Sequence, residues 1–214
     1  MSDTERVVKR LFDLVISALA LILIAPFWLI LALLIKLNSR GRVLFRQERV
    51  GMDGRKFLCY KFRTMRDNSD PDVHREIYRK NIKGQFEANV GDEKEPVFGK
   101  VKNDPRVTGM GKWLRRLSLD ELPQLINVVK GDMSIVGPRP PIPYEVAEYD
   151  SWHRRRLGVK PGITGLSQVS GRNRLPFEDM VRVDLFYIEN WSFLLDLKII
   201  IRTLPAVFRG DGAK

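Results

Sequence analysis

The 214-residue chain has one cysteine, Cys59, and two histidines, His74 and His153. A single cysteine excludes an internal disulfide framework, and so few soft ligands argue against a structural zinc site. The chain suits a reducing compartment, and any metal is expected to be a hard cation held by carboxylates. Neither G-x-G-x-x-G nor G-x-x-x-x-G-K-[ST] occurs, so dinucleotide-fold and P-loop readings lack their signature. Both histidines stand in polar contexts, which leaves no credible Ser-His-Asp set. Internal repeats and low-complexity tracts are missing as well. A composition of 44% hydrophobic and 29% charged residues excludes both a disordered tail and a polytopic membrane protein.

Positive charge is plentiful. The formal net charge is +11 and the pI about 9.9, which points to an anionic partner. Residues 36–66 hold ten of the basic side chains against two acids, Glu48 and Asp53. This stretch follows the one long apolar run, residues 14–35, which contains no ionisable group. Polybasic juxtamembrane stretches draw anionic lipid at about 1 kcal/mol per residue.

By length the apolar run reads as a membrane helix. It is longer than a signal-peptide core and no small-residue cleavage site follows it. Pro26 sits near its midpoint, where it removes a backbone donor and clashes with the preceding turn. Basic residues flank both sides: Arg6, Lys9 and Arg10 before, Lys36, Arg40, Arg42 and Arg46 after. The positive-inside rule favours leaving both flanks in the cytoplasm. Half-segments 12–25 and 27–37 would rise roughly 21 and 16 Å, too short to cross a core of ~30 Å. A re-entrant hairpin kinked at Pro26 is therefore expected, with one spanning helix as the alternative.

Beyond the membrane segment, residues 43–46 and 56–62 read as strands around the turn at 51–54, a β-hairpin. Residues 67–104 are polar and weakly specified. Asp70 and Asp72 within them match the D-x-D spelling of metal-dependent glycosyltransferases, a spelling that a polar turn also explains. A basic amphipathic turn at 112–117 leads to a helix expected from about Asp120 to Val129. Loops rich in glycine and proline follow at 130–143 and 160–174. A last helix, 193–209, puts Lys198, Arg202 and Arg209 on one face. It suits either the membrane interface or a core with a wet edge.

The chemistry points to the carboxylate pair Asp120-Glu121 in an apolar setting. Ser118 and Glu121 are spelled like a capping box, and Asp120 with Pro123 fits an N-cap followed by a first-turn proline. A helix N-terminus also holds anions, so capping and catalysis do not exclude each other. Arg115 and Arg116 lie just upstream, Arg139 follows in Gly137-Pro138-Arg139-Pro140, and Arg172 stands in a second loop. Arginine grips phosphate with a rigid fork of donors.

Several motifs fall in one series: Lys9-Arg10-Leu11-Phe12-Asp13, Tyr60-Lys61-Phe62-Arg63-Thr64-Met65, the stretch at 117–125, the run from Lys130 to Pro140, and the run from Lys160 to Asn173. In that order they resemble the bacterial sugar transferase family, the monotopic phosphoglycosyl transferases, over residues 9–209. The resemblance implies an α+β monotopic membrane protein. It would have a re-entrant helical element (residues 1–38), a small β-hairpin, and a largely helical cytoplasmic catalytic domain (39–209) with interfacial amphipathic helices. Residues 67–98 would be a variable insertion and 210–214 a tail. It further implies transfer of a sugar-1-phosphate from a UDP-sugar to undecaprenyl phosphate, with magnesium and release of UMP, on the cytoplasmic face of the inner membrane. Asp120 and Glu121 would be catalytic and hold the metal, with Asp120 the nucleophile. Arg115, Arg139, Lys61, Arg63 and Arg172 would bind substrate. Anionic lipid is an expected partner, nucleic acid is not, and a homodimer stays open.

The chain departs from the family in places. Ala25-Pro26 stands where small members have Ser-Pro, Ser167 replaces an alanine or aromatic residue and bears on sugar choice, and the insertion is longer than in the smallest members. The length is expected to leave no room for the further transmembrane helices of large members. Two other readings stand beside this one: a glycosyltransferase using Asp70 and Asp72, and a non-enzymatic lipid-binding protein.

Overall fold

The computed structural model describes residues 1–66, 79, 80, 82, 106–171 and 174–209, with the side chains of 208 and 209 left aside. Helix α1 (Asp3–Asn38) opens on a capping box: Ser2 accepts from the Glu5 amide, and the Glu5 carboxylate accepts from the Ser2 amide. Its apolar window has mean hydropathy 2.9 and is almost wholly uncovered by protein, so α1 is long and apolar enough to enter or cross a membrane. Helical backbone runs on through Pro26 instead of breaking into two half-helices. A proline in a long helix removes one donor, and the surrounding turns carry the helix past it.

Strands β1 (Leu44–Val50) and β2 (Lys56–Phe62) pair antiparallel around a 3₁₀ turn at Met52–Gly54, the expected hairpin with a longer first strand. The side chain of Asn127 completes the free edge of β2: its Oδ1 accepts from Tyr60 N, and its Nδ2 donates to Leu58 O. That amide stands in for a third strand, which satisfies backbone groups that would otherwise be buried bare. Helix α2 (Gly109–Arg116) is capped by Thr108 and packs on the end of the hairpin. Leu114 joins Phe62 of β2 with Leu31 and Ile35 of α1 in one core cluster.

The expected helix from Asp120 divides. Leu119–Glu121 form a 3₁₀ turn, and helix α3 (Gln124–Lys130) starts only at Gln124. Strand β3 (Ser134–Val136) then pairs in parallel with β4 (Gly162–Thr164), inside segments that sequence alone gave as loops. Between them lie the short helices α4 (Pro143–Ala147) and α5 (Ser151–Arg154). Helices α6 (Leu166–Ser170), α7 (Phe177–Glu189) and α8 (Phe193–Arg209) follow β4. In α8, Asp196 and Ile199 are buried while Phe193, Leu194, Leu197, Ile201 and Leu204 are exposed. The helix thus packs one face on the domain and offers an apolar one outward, the pattern of an interfacial helix.

Both ends of α1 dock on this domain. Arg10 donates to the carbonyls of Val128 and Val129 at the end of α3, and Asp13 accepts from Ile135 N of β3. Eighteen residues later Leu31 is buried against the hairpin and α2. Between the two contacts Leu19, Ile22, Leu23 and Phe27 stay exposed.

Candidate active site

Three segments bring the site together. The first is the 3₁₀ turn carrying Asp120 and Glu121. Ser118, just before it, is left-handed (φ 53°, ψ 19°) and makes no cap hydrogen bond through its side chain, so the capping box that the spelling suggested does not form. That left-handed residue turns the chain sharply out of α2, a conformation uncommon outside glycine, asparagine and aspartate. Asp120 is 9% exposed. Burial pushes its carboxyl above the usual range; Lys61, Arg115 and Arg139 oppose the shift, and Glu121 adds to it.

The second segment is β2. Lys61 donates to Glu121 Oε1 at 2.6 Å. Two residues on, Arg63 turns away from the dyad and donates to the carbonyl and hydroxyl of Ser39, at the end of α1. In this structure Arg63 thus tethers the end of α1 to the strand that carries Lys61. Arg115 of α2 reaches Thr64 Oγ1 at 2.9 Å and acts on Asp120 through its charge.

The third segment is the loop after β3. Arg139 Nη1 lies 3.5 Å from Glu121 Oε1. Its backbone is fixed from two sides: Arg49 donates to the Pro140 carbonyl, and Arg156 to the Arg139 carbonyl. Crossing of the two loops explains a pair of glycines. A Cβ on Gly162 would fall 2.1 Å from Gly137 N, and one on Gly137 would fall 2.5 Å from Lys160 O, so only glycine lets these backbones meet.

Lys61, Glu121 and Arg139 line one pocket with Arg49, Cys59, Gln124 and Gln168. Its enclosed space is about 10 Å³, enough for one water, so any larger ligand lies across its mouth. Arg49 Nε and Gln168 Oε1 are buried there without hydrogen-bond partners among the described residues. Arg172, Asp70 and Asp72 lie outside the described residues.

Sequence reasoning missed Arg49, Gln168 and the support behind them. Arg49 was one of ten bases in a juxtamembrane stretch. Arg156 and Asp184 form an ion pair that is almost wholly buried, and Asp184 also accepts from Ser167. Ser167 is therefore 2% exposed and turned away from the pocket, with Gln168 beside it facing in. No local signal marks such a pair, because each charge alone reads as surface. Glu145 was missed likewise; burial raises its carboxyl, and the Arg49 guanidinium opposes that.

Two carboxylates set among three cations can bind a phosphorylated ligand and present an anionic nucleophile to it. Comparison with known proteins decides the family: the model of the family described as bacterial sugar transferase matches residues 4–210. The chain belongs to that family. It is a phosphoglycosyl transferase, and the lipid-binding alternative without catalysis falls away. It is 43% identical over 205 residues to the exopolysaccharide production protein ExoY of Sinorhizobium fredii, covering 96% of this chain and 87% of that protein. It is 41% identical over 210 residues to an undecaprenyl-phosphate galactose phosphotransferase of Salmonella typhimurium, covering 98% of this chain and 42% of that one. Against an undecaprenyl-phosphate glucose phosphotransferase of Komagataeibacter xylinus the identity is 43% over 220 residues, with 95% and 36% covered. The chain thus spans less than half the length of these two phosphotransferases.

Proposed function

We propose that this enzyme transfers a sugar-1-phosphate from a UDP-sugar to undecaprenyl phosphate through a phosphosugar carried on Asp120. The observation that carries the reading is the meeting of Asp120 and Glu121 with Lys61 and Arg139, beside a helix apolar enough for a bilayer. The names of the phosphotransferase relatives support the lipid acceptor.

In the first step an Asp120 carboxylate oxygen attacks the β-phosphorus of the donor. An acyl-phosphate bond forms, the bond to the UMP oxygen breaks, and UMP leaves with the electron pair. In the second, a phosphate oxygen of the lipid attacks the same phosphorus and returns the carboxylate. Two steps avoid holding two phosphate anions in one small site. Desolvation favours the attack, since a buried carboxylate is a poorly hydrated base. Lys61 and Arg139 hold the diphosphate, and Arg115 keeps charge balance at Asp120. Asp120 and Glu121 fit a magnesium ion, which is commonly held by one or two carboxylates together with substrate phosphates. When bound there it would neutralise the diphosphate and the leaving UMP. Among the described residues no cluster of three metal-ligating side chains exists, so water and substrate phosphate oxygens would supply the remaining ligands.

We place α1 as a helix that enters the inner membrane from its cytoplasmic face without crossing it. The docking of both its ends on one domain supports the absence of a crossing, and the basic flanks on both sides favour the cytoplasmic face. Asp13 and Ile35 stand roughly 33 Å apart along a straight helix, yet both touch one domain. A span would strand one of them across a ~30 Å core.

The test is incubation with UDP-galactose or UDP-glucose in the absence of lipid acceptor. One equivalent of UMP should appear, with a phosphosugar on the peptide containing Asp120, and Asp120→Asn should abolish both. Turnover by Asp120→Asn, or an obligatory ternary complex, overturns the reading. For topology, cysteines at Ser2 and Asn38 should both resist an impermeant reagent in intact spheroplasts; labelling of one alone would mean a span.

A further inference from the structure

Asp196 lies in a helix that is otherwise mostly apolar, yet it is only 2% exposed and gathers three donors. Lys9 Nζ reaches it at 2.5 Å, the Tyr187 hydroxyl at 2.7 Å and Trp191 Nε1 at 3.2 Å. A buried carboxylate is costly unless fully paired, and here the pairing joins three elements: α1 through Lys9, α7 through Tyr187, and α8 through Asp196 itself. The Tyr187 hydroxyl also lies 3.2 Å from the carbonyl of Val136, so its one hydrogen is shared between carboxylate and backbone.

Val136 ends β3, and Arg139 stands three residues on. Ile135, next to Val136, donates its amide to Asp13 of α1. Two successive residues of this strand are thus held by α1, one directly and one by way of Asp196 and Tyr187. The outer sides of both helices are apolar and exposed, with Leu11 and Val15 on α1 and Leu194 and Leu197 on α8. The Lys9–Asp196 bond joins two elements that each expose an apolar face.

We propose that Lys9 and Asp196 are a positioning pair which sets strand β3, and through it Arg139, only when the membrane helix is docked. Neither residue touches substrate. The pair acts on the strand, so the phosphate-binding loop takes its place when α1 and α8 lie together at the bilayer. The part concerning Arg139 rests on the proposed function; the holding of β3 does not.

The experiment uses the full chain in nanodiscs of phosphatidylethanolamine and phosphatidylglycerol. It follows hydrogen exchange of the peptide spanning residues 134–140 together with steady-state kinetics for the nucleotide-sugar. Lys9→Met and Asp196→Asn should each raise exchange at residues 135–137 by about tenfold, as expected for the loss of one charged hydrogen bond. They should lower kcat/KM for the donor by a similar factor, with Asp120 still labelled in the fraction that reacts. Lys9→Arg should restore both. Tyr187→Phe keeps the ion pair and cuts only the last link, so it tests the inference even if Asp196→Asn fails to fold; it should reproduce the faster exchange at 135–137. Unchanged exchange there in both Lys9→Met and Tyr187→Phe overturns the proposal, as does a loss of activity that merely follows the folded fraction. If Arg139→Lys turns over like the wild type, the phosphate reading fails, while the exchange arm still decides whether the pair holds β3.

Discussion

Lys61 and Glu121, sixty residues apart in sequence, are joined by a 2.6 Å ion pair at the mouth of the pocket. Arg139 approaches the same carboxylate oxygen at 3.5 Å. Glu121 therefore holds two cations in the place where a diphosphate would take them. In the proposed reaction the donor displaces this carboxylate from Lys61 and Arg139, and Glu121 with Asp120 would then hold a magnesium ion, which would supply charge neutralisation at the diphosphate.

The raised carboxyl of Asp120 has two consequences of opposite sign. As nucleophile it must be ionised, so kcat/KM for the donor should fall on the acid side with a midpoint above the ordinary aspartate range. A pH–rate profile in saturating magnesium measures this; a limb at or below about pH 4 would show an ordinary aspartate.

For stability the sign reverses. A carboxyl raised on folding binds its proton more tightly in the native state, so its ionisation costs stability above the native pKa. Asp120→Asn should melt higher than the wild type at pH 8, and the gap should narrow as pH falls through the raised value. Thermal unfolding in detergent at several pH values checks it.

Arg139→Lys keeps charge and loses the fork of donors. Activity should drop by about tenfold or more, since a hydrogen bond to a charged group contributes roughly 1.5–3 kcal/mol. The loss should appear in kcat/KM for the donor, measured by UMP release.

Behind the Arg139 loop, the buried pair Arg156–Asp184 should behave as a unit. Arg156→Met alone leaves a buried carboxylate uncompensated and should cost about 3–5 kcal/mol. Adding Asp184→Leu should recover part of that. A double-mutant cycle by denaturant melts decides it; additive losses would show two independent residues.

Asn127→Ala should leave Tyr60 N and Leu58 O unpaired at the edge of β2. The expected cost is about 2–3 kcal/mol or more. Replacement by serine should rescue little, because one hydroxyl cannot span both groups. Thermal melts of the two variants provide the measurement.

Much of this architecture was readable beforehand where the signal is local. The apolar run marked α1, and the extent of β2, the turn at Gly51 and the last helix agree with the structure. Motif resemblance led to Lys61, Asp120, Glu121 and Arg139, which the fold gathers from three separate segments. Other features depended on distant contacts. Strands β3 and β4 are three residues each, too short for a period to show. Ser118 has the spelling of a cap and takes a left-handed turn instead, because the chain must reverse out of α2 there. Asp13, Asp184 and Asp196 look like ordinary surface charges in sequence and are buried only because Ile135, Arg156 and Lys9 come to meet them.

The bond between Lys9 and Asp196 spans 187 residues of sequence. Lys9 leaves the ribosome 187 residues ahead of Asp196. At about 5–20 residues per second, the membrane helix waits roughly 10–40 s for the partner that closes the domain on it. The link from α1 through Asp196 and Tyr187 to strand β3 therefore forms only after α8 has been made, well after α1 itself.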